Sequence, residues 1–159
     1  MATPNKRQFY RLTLQVPLAA KFRIIGFNNT QLLSNNGTTY IADISAGGIR
    51  MHSRLDLPLL ESLLLEFDIE LFHSKLKLLG CVLRKQLLPS GIYEYGVEFV
   101  LDDMLREQLL SHIHMLSIRL RHNQVLASCS FCSEDEWKEF YQHENEENLE
   151  RRPIYGSQA

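Results

Sequence analysis

Apolar and polar residues alternate from Leu12 to Ile24, with Leu12, Leu14, Val16, Leu18, Ala20, Phe22 and Ile24 on one face and Thr13, Gln15, Lys21 and Arg23 on the other. A period of two sends successive side chains to opposite faces, so the stretch predicts a long strand with one buried side. Pro17 lacks an N–H and falls on the outward face, which predicts an edge or a bend. Residues 26–37 are rich in Asn and close on Asn35-Asn36-Gly37, and predict a long loop. Further strands are predicted at about 39–44, 49–53, 63–71, 75–86 and 93–99. Gly47-Gly48 allows a sharp reversal between the second and third, and Phe72-His73-Ser74 and Pro89-Ser90-Gly91 turn the chain later. Six strands, each with one apolar face and mostly joined by short turns, predict a mainly β fold, a six-stranded antiparallel β-barrel followed by C-terminal helices.

The period changes at Asp102. Leu105, Leu109, Ile113, Leu116 and Leu120 recur at steps of three and four, with Asp102 and Asp103 at the start and Arg119, Arg121 and His122 at the end, as a helix dipole favours. A helix of roughly five turns should cap the barrel. The heptad-like spacing from Leu109 to Leu120 leaves a homodimer as the alternative use of that stripe. Residues 123–132 read as a linker, and Ser133-Glu134-Asp135-Glu136 as a capping box that opens a second helix. Trp137, Phe140 and Tyr141 share one face of that helix, either docked on the barrel or kept for a partner. Beyond Gln142 apolar residues stop until Leu149, and from Arg151 the chain should fray. The division is therefore 1–122, a barrel with an N-terminal arginine arm and a capping helix, and 123–159, a linker with an acidic helix and tail.

Charge sharpens this division. The 159 residues carry a net charge of −2, but residues 134–150 hold eight acidic groups against Lys138 alone, a net of −7, which leaves +5 on the remainder. A mildly basic body suits a small anionic ligand better than a nucleic acid polymer, which calls for a stronger basic footprint. Single-strand binding would also need exposed aromatics, whereas Tyr93, Tyr95 and Phe99 fall on the apolar face. No charged-then-apolar leader opens the sequence, and Leu57 to Leu65 is interrupted by Pro58, Glu61 and Ser62, so the expectation is a cytoplasmic protein without membrane insertion. Three cysteines then read as reduced thiols. Cys129 and Cys132 have a zinc-knuckle spacing without a second paired motif, and no metal site is expected. His112 and His114 lie two apart on the helix and read as surface or satisfied residues. No nucleophile, base and orienting group assemble, so the chain does not read as an enzyme, and no resident cofactor is expected.

The candidate chemistry is carried by two short motifs. Arg7-Gln8-Phe9-Tyr10-Arg11 places two arginines four apart just before the first strand, and Asp43-Ile44-Ser45-Ala46-Gly47-Gly48 places a carboxylate, a hydroxyl and glycine amides at the corner between strands two and three. Two planar cations facing such a corner could close on an anionic ligand. Either motif alone is weak evidence: eleven arginines make a chance Arg-x-x-x-Arg pair expected, and Arg50 with Arg54 forms another, read as strand surface. With Tyr95-Gly96-Val97-Glu98-Phe99 in the last strand, the two motifs together resemble the PilZ domain over residues 5 to 118, without a substitution in either. The loop at 26–37 and everything after residue 122 depart from that pattern.

The resemblance implies a six-stranded barrel that binds the bacterial second messenger cyclic di-GMP. Arg7 and Arg11 would fork onto phosphate or the guanine edge and stack on a base, Asp43 would accept from guanine N1–H and N2–H₂, and Ser45 would add a donor or acceptor. Gly48, and Gly47 beside it, would permit close backbone approach. Lys6 and Arg84, the latter on the outer or inner face according to where Val82 points, are additional candidate contacts. The implied role is a receptor that changes its contacts with an unidentified protein partner, in motility or biofilm control. The alternative is an adaptor that needs no nucleotide and uses the aromatic and acidic C-terminal helix.

Overall fold

The computed structural model of the chain describes residues 9–27, 30–31, 36–59 and 63–142. Its elements run β1 (Leu12–Phe27), β2 (Thr30–Gln31), β3 (Gly37–Ser45), β4 (Gly48–Ser53), β5 (Leu64–Leu71), β6 (Ser74–Leu87), β7 (Tyr93–Phe99), α1 (Asp103–Arg119) and α2 (Glu134–Trp137), which continues as a π-helical turn at Lys138–Gln142. The sheet order is β2-β1-β3-β4-β7-β6-β5, and β1 also pairs with β5, so six antiparallel strands close a barrel with the two-residue β2 added at its rim. Part of the predicted long loop is therefore sheet: β1 continues to Phe27, and Thr30 and Gln31 pair back onto Phe27 and Gly26.

Inward positions fill one core. Leu18, Ile41, Ile44, Met51, Leu65, Phe67, Leu78 and Tyr95 are fully enclosed, as the alternation requires. The Tyr95 hydroxyl accepts from Leu57 N–H at 2.7 Å and donates to Leu55 O, so the buried phenol is satisfied at both lone pair and proton. Desolvation by this burial raises its pKa above the ordinary value. Leu109, Ile113 and Leu116 of α1 belong to the same core, so the stripe that could have paired two copies caps the barrel. Asp102 caps α1 by accepting Leu105 N–H at 2.8 Å.

Pro17 does bend β1: the register against β3 shifts between Thr13 and Leu18. It is buried rather than outward, and the chain that covers it is the stretch expected to be a linker. Residues 128–132 form a strap. Cys132 N–H donates to Pro17 O at 2.9 Å, Ala19 N–H to Ser130 O at 2.7 Å, Ser130 N–H to Glu70 O at 2.9 Å and His73 N–H to Ser128 O at 2.9 Å. Cys129 and Cys132 are buried in two separate apolar clusters, which explains their spacing without a metal. Burial pushes the Cys132 thiol up to about 11. No group of three or more His, Cys, Asp or Glu suited to a metal occurs among the described residues.

After the strap, Ser133 and Glu136 complete the capping box: Glu136 N–H donates to Ser133 Oγ at 3.1 Å and Ser133 N–H to Glu136 Oε1 at 3.0 Å. The aromatic face docks on the barrel. Phe140 lies 4.5 Å from Tyr40 between ring centroids, Tyr141 lies 4.7 Å from Phe140 and 4.8 Å from Trp137, and Arg54 donates to the carbonyls of Glu139 and Phe140 at 2.7 and 2.8 Å. Truncating Phe140 to alanine should release this segment before the barrel unfolds. Backbone amides of 137–141 should then exchange faster, by at least tenfold, while the core amides of β4 and β7 keep their protection. Among the described residues no helix is long and apolar enough to cross a membrane.

Candidate functional site

On the outside of the barrel one row of residues crosses five strands. Register places Thr13 beside Asp43, Asp43 beside Arg50, Arg50 beside Gly96 and Gly96 beside Arg84. Outward alternation brings each of these side chains to the same face, and they line a cavity of about 820 Å³ together with Arg11, Lys85, Gln86, Glu94, Leu59 and Leu83. Such a volume lies within the range of small-molecule sites. Four cations, Arg11, Arg50, Arg84 and Lys85, face two carboxylates, Asp43 and Glu94, so the cavity is net positive, and two leucines at its margin offer apolar surface.

Asp43 is the fixed centre. Only 5% of it is exposed, and its carboxylate accepts Arg50 Nε–H at 2.7 Å with Arg11 Nη1 at 3.9 Å. Arg11 thus stands over the aspartate, beyond the reach of a direct hydrogen bond. Arg50, read from sequence as plain strand surface, is the cation most closely engaged with the site. Its Nη1 also reaches Glu94 Oε2 at 3.3 Å, the oxygen that bonds His52 Nε2 at 2.8 Å. The other ring nitrogen of His52, Nδ1, lies 2.9 Å from the Tyr141 hydroxyl. Burial raises the Tyr141 pKa far above its usual range, keeping that hydroxyl protonated. A bonded chain therefore runs from Asp43 to the docked C-terminal segment.

Arg84 reaches the cavity because β6 bulges. The register against β7 shifts between Val82 and Arg84, so Val82 is buried while Leu83 and Arg84 both face out. Its guanidinium lies over Gly96: a Cβ at that position would sit 3.0 Å from Arg84 Nε. The remaining motif residues serve the turn. Ser45 Oγ accepts Gly47 N–H at 3.1 Å and Gly48 N–H at 3.2 Å, satisfying the hairpin backbone. Neither Gly47 nor Gly48 has positive φ, so the reversal does not depend on the backbone freedom expected of them. They are small for lack of space: a Cβ on Gly48 would lie 2.0 Å from Val97 O, and one on Gly47 would lie 2.9 Å from Phe9 Cδ2. Ser45, Gly47 and Gly48 do not line the cavity. Lys6 and Arg7 lie outside the described residues.

The fold has known counterparts. The pattern of the PilZ domain matches residues 5–114, a stretch that contains both motifs and every strand of the barrel. The chain belongs to the PilZ domain family. Among solved structures, Bacillus subtilis inhibitor of motility (MotI/DgrA) superposes with a TM-score of 0.54 at 18% identity, over 76% of this chain and 54% of that one. The PilZ domain of Escherichia coli YcgR with c-di-GMP superposes with a TM-score of 0.53 at 14% identity, over 74% of this chain and 95% of that one. The K. pneumonia MrkH–c-di-GMP complex gives 0.52 at 15% identity, over 77% and 56%. These likenesses show the shared barrel, and the chain spans only about half the length of the MotI and MrkH chains. No curated protein sequence matches it. The strap and the docked aromatic segment lie beyond the family match, which ends at residue 114.

Proposed function

We propose that this PilZ-domain chain is a receptor for cyclic di-GMP, without catalytic activity, that passes ligand binding on to a protein partner. The observation that carries the reading is the meeting of Arg11 with Asp43 in a net-positive cavity that Arg50 and Arg84 also line. The ligand offers two phosphodiester anions and two guanines, and this cavity offers what each needs. Arginine forks match phosphate oxygens or the O6/N7 edge of guanine, arginine planes stack on the base, and a carboxylate accepts from N1–H and N2–H₂. Arg7 would join Arg11 from the arm, and Lys6 would add charge near the phosphates. Arg84 and Arg50 would act from the barrel wall. Solved PilZ relatives that carry c-di-GMP support the same reading.

Ser45 and Gly48 contribute by holding the hairpin in the shape that presents Asp43, and Gly47 lies beside them. The competing adaptor reading needs Trp137, Phe140 and Tyr141 as a free surface, and these pack on the barrel instead. Calorimetric titration of the full chain with cyclic di-GMP, beside GTP as a control, tests the proposal. Saturable heat with micromolar affinity for the cyclic dinucleotide alone is expected, and its absence at ligand concentrations of a few hundred micromolar would overturn it. Arg84→Ala should weaken binding about tenfold with no change in thermal midpoint, because Arg84 lies exposed over Gly96 on the outer wall.

A further inference from the structure

The arm that carries Arg11 begins, among the described residues, with Phe9, and the ring of Phe9 is wedged between two elements of the barrel. On one side lies the hairpin, where a Cβ on Gly47 would meet Phe9 Cδ2 at 2.9 Å and Cε2 at 3.4 Å. On the other lies α1, whose Arg106 holds its guanidinium carbon 5.6 Å from the ring centroid. Arg106 Nε is buried and finds no hydrogen-bond acceptor among the described residues, so its planar cation is committed to the aromatic face rather than to a carboxylate. Phe9 lies two residues before Arg11, and residues 9–11 carry neither strand nor helix.

We infer that Phe9 is the positioning residue of the arginine arm and that Gly47 and Arg106 form its seat. The inference rests on the receptor reading above and gives Gly47 a task that is neither ligand contact nor backbone freedom. An unanchored arm must be ordered residue by residue when ligand binds, at an entropic cost charged against affinity. An arm pinned at Phe9 already holds Arg11 over Asp43. Gly47 has no positive φ, so alanine there fits the backbone and acts only by pushing the ring from its seat.

Two measurements on the full chain test this. In ligand-free protein, trypsin should cut after Arg11 several-fold faster in Phe9→Ala and in Gly47→Ala than in wild type, with thermal midpoints nearly unchanged. In titrations with cyclic di-GMP, each variant should bind roughly tenfold more weakly, Phe9→Tyr should restore most of the affinity, and the double variant should bind no worse than either single one. Wild-type cleavage rates in both single variants would overturn the anchoring, as would losses of affinity that simply multiply in the double variant. If wild type failed to bind cyclic di-GMP, the receptor reading and the positioning role for that ligand would both fall, while the cleavage result would separately decide whether Phe9 anchors the arm.

Discussion

Arg11→Ala is expected to remove measurable cyclic di-GMP binding while leaving the barrel intact. The arginine is about one-third exposed, and its Nη1 stands 3.9 Å from Asp43 Oδ1, close enough to be oriented by the carboxylate and too far to be consumed by it. Loss of a guanidinium that pairs with phosphate or guanine in a partly desolvated site costs on the order of 2–5 kcal/mol. At about 1.4 kcal/mol per tenfold, this lowers affinity by a factor of roughly thirty or more, enough to carry a micromolar complex beyond the reach of calorimetry. Stability should hardly respond, because Asp43 keeps the shorter bond from Arg50 at 2.7 Å. Arg11→Lys keeps the charge without the planar fork and should recover only part of the affinity. Unchanged affinity in the alanine variant would sink the assignment of this arm to the ligand.

Gly48→Ala should instead cost stability, about 3–5 kcal/mol, through a backbone collision. The added Cβ would sit 2.0 Å from Val97 O and 3.3 Å from Glu98 Cα, and backbone atoms cannot rotate away as a side chain does. Gly48 pairs with Glu98, and Phe99 N–H donates to Gly47 O at 2.8 Å, so relief would require prising β4 from β7 where the hairpin is anchored. Denaturant unfolding should show a lower midpoint with a similar slope. A loss below about 1 kcal/mol would mean that the two strands part at little cost. Ligand binding would also fail at temperatures where the variant unfolds, without any contact between Gly48 and ligand.

These two positions mark what could be read from the chain and what could not. Alternation located all six barrel strands to within a few residues because one face of each strand is buried, and the three–four spacing with Asp102 located α1. Arg11 and Asp43 could be paired by motif, and the structure brings them together. Arg50 could not be separated from strand surface, since its neighbour Asp43 is seven residues away and meets it only through the β3–β4 register. Arg84 needed the bulge at Leu83, which reverses the face that strict alternation assigns to it. The glycines were recognisable as special, but the crowding that requires them comes from Val97 and Phe9, distant in sequence. Residues 128–132 carry no alternation of their own, and their partners on β1 and β5 lie some sixty to over a hundred positions earlier.

That strap also decides where the folded unit ends. The family pattern stops at residue 114, yet Pro17 O, Ala19 N–H, Glu70 O and His73 N–H all find their partners in residues 128–132. A chain terminated at the family boundary would keep the barrel's motifs and lose these partners, baring backbone along β1 and beside it Tyr40 and Ile92, which the C-terminal segment covers. Unpaired strand backbone next to apolar side chains is a template on which a second chain can add. Residues 128–142 cover this stretch, and a piece of this protein that stays monodisperse should extend through Tyr141.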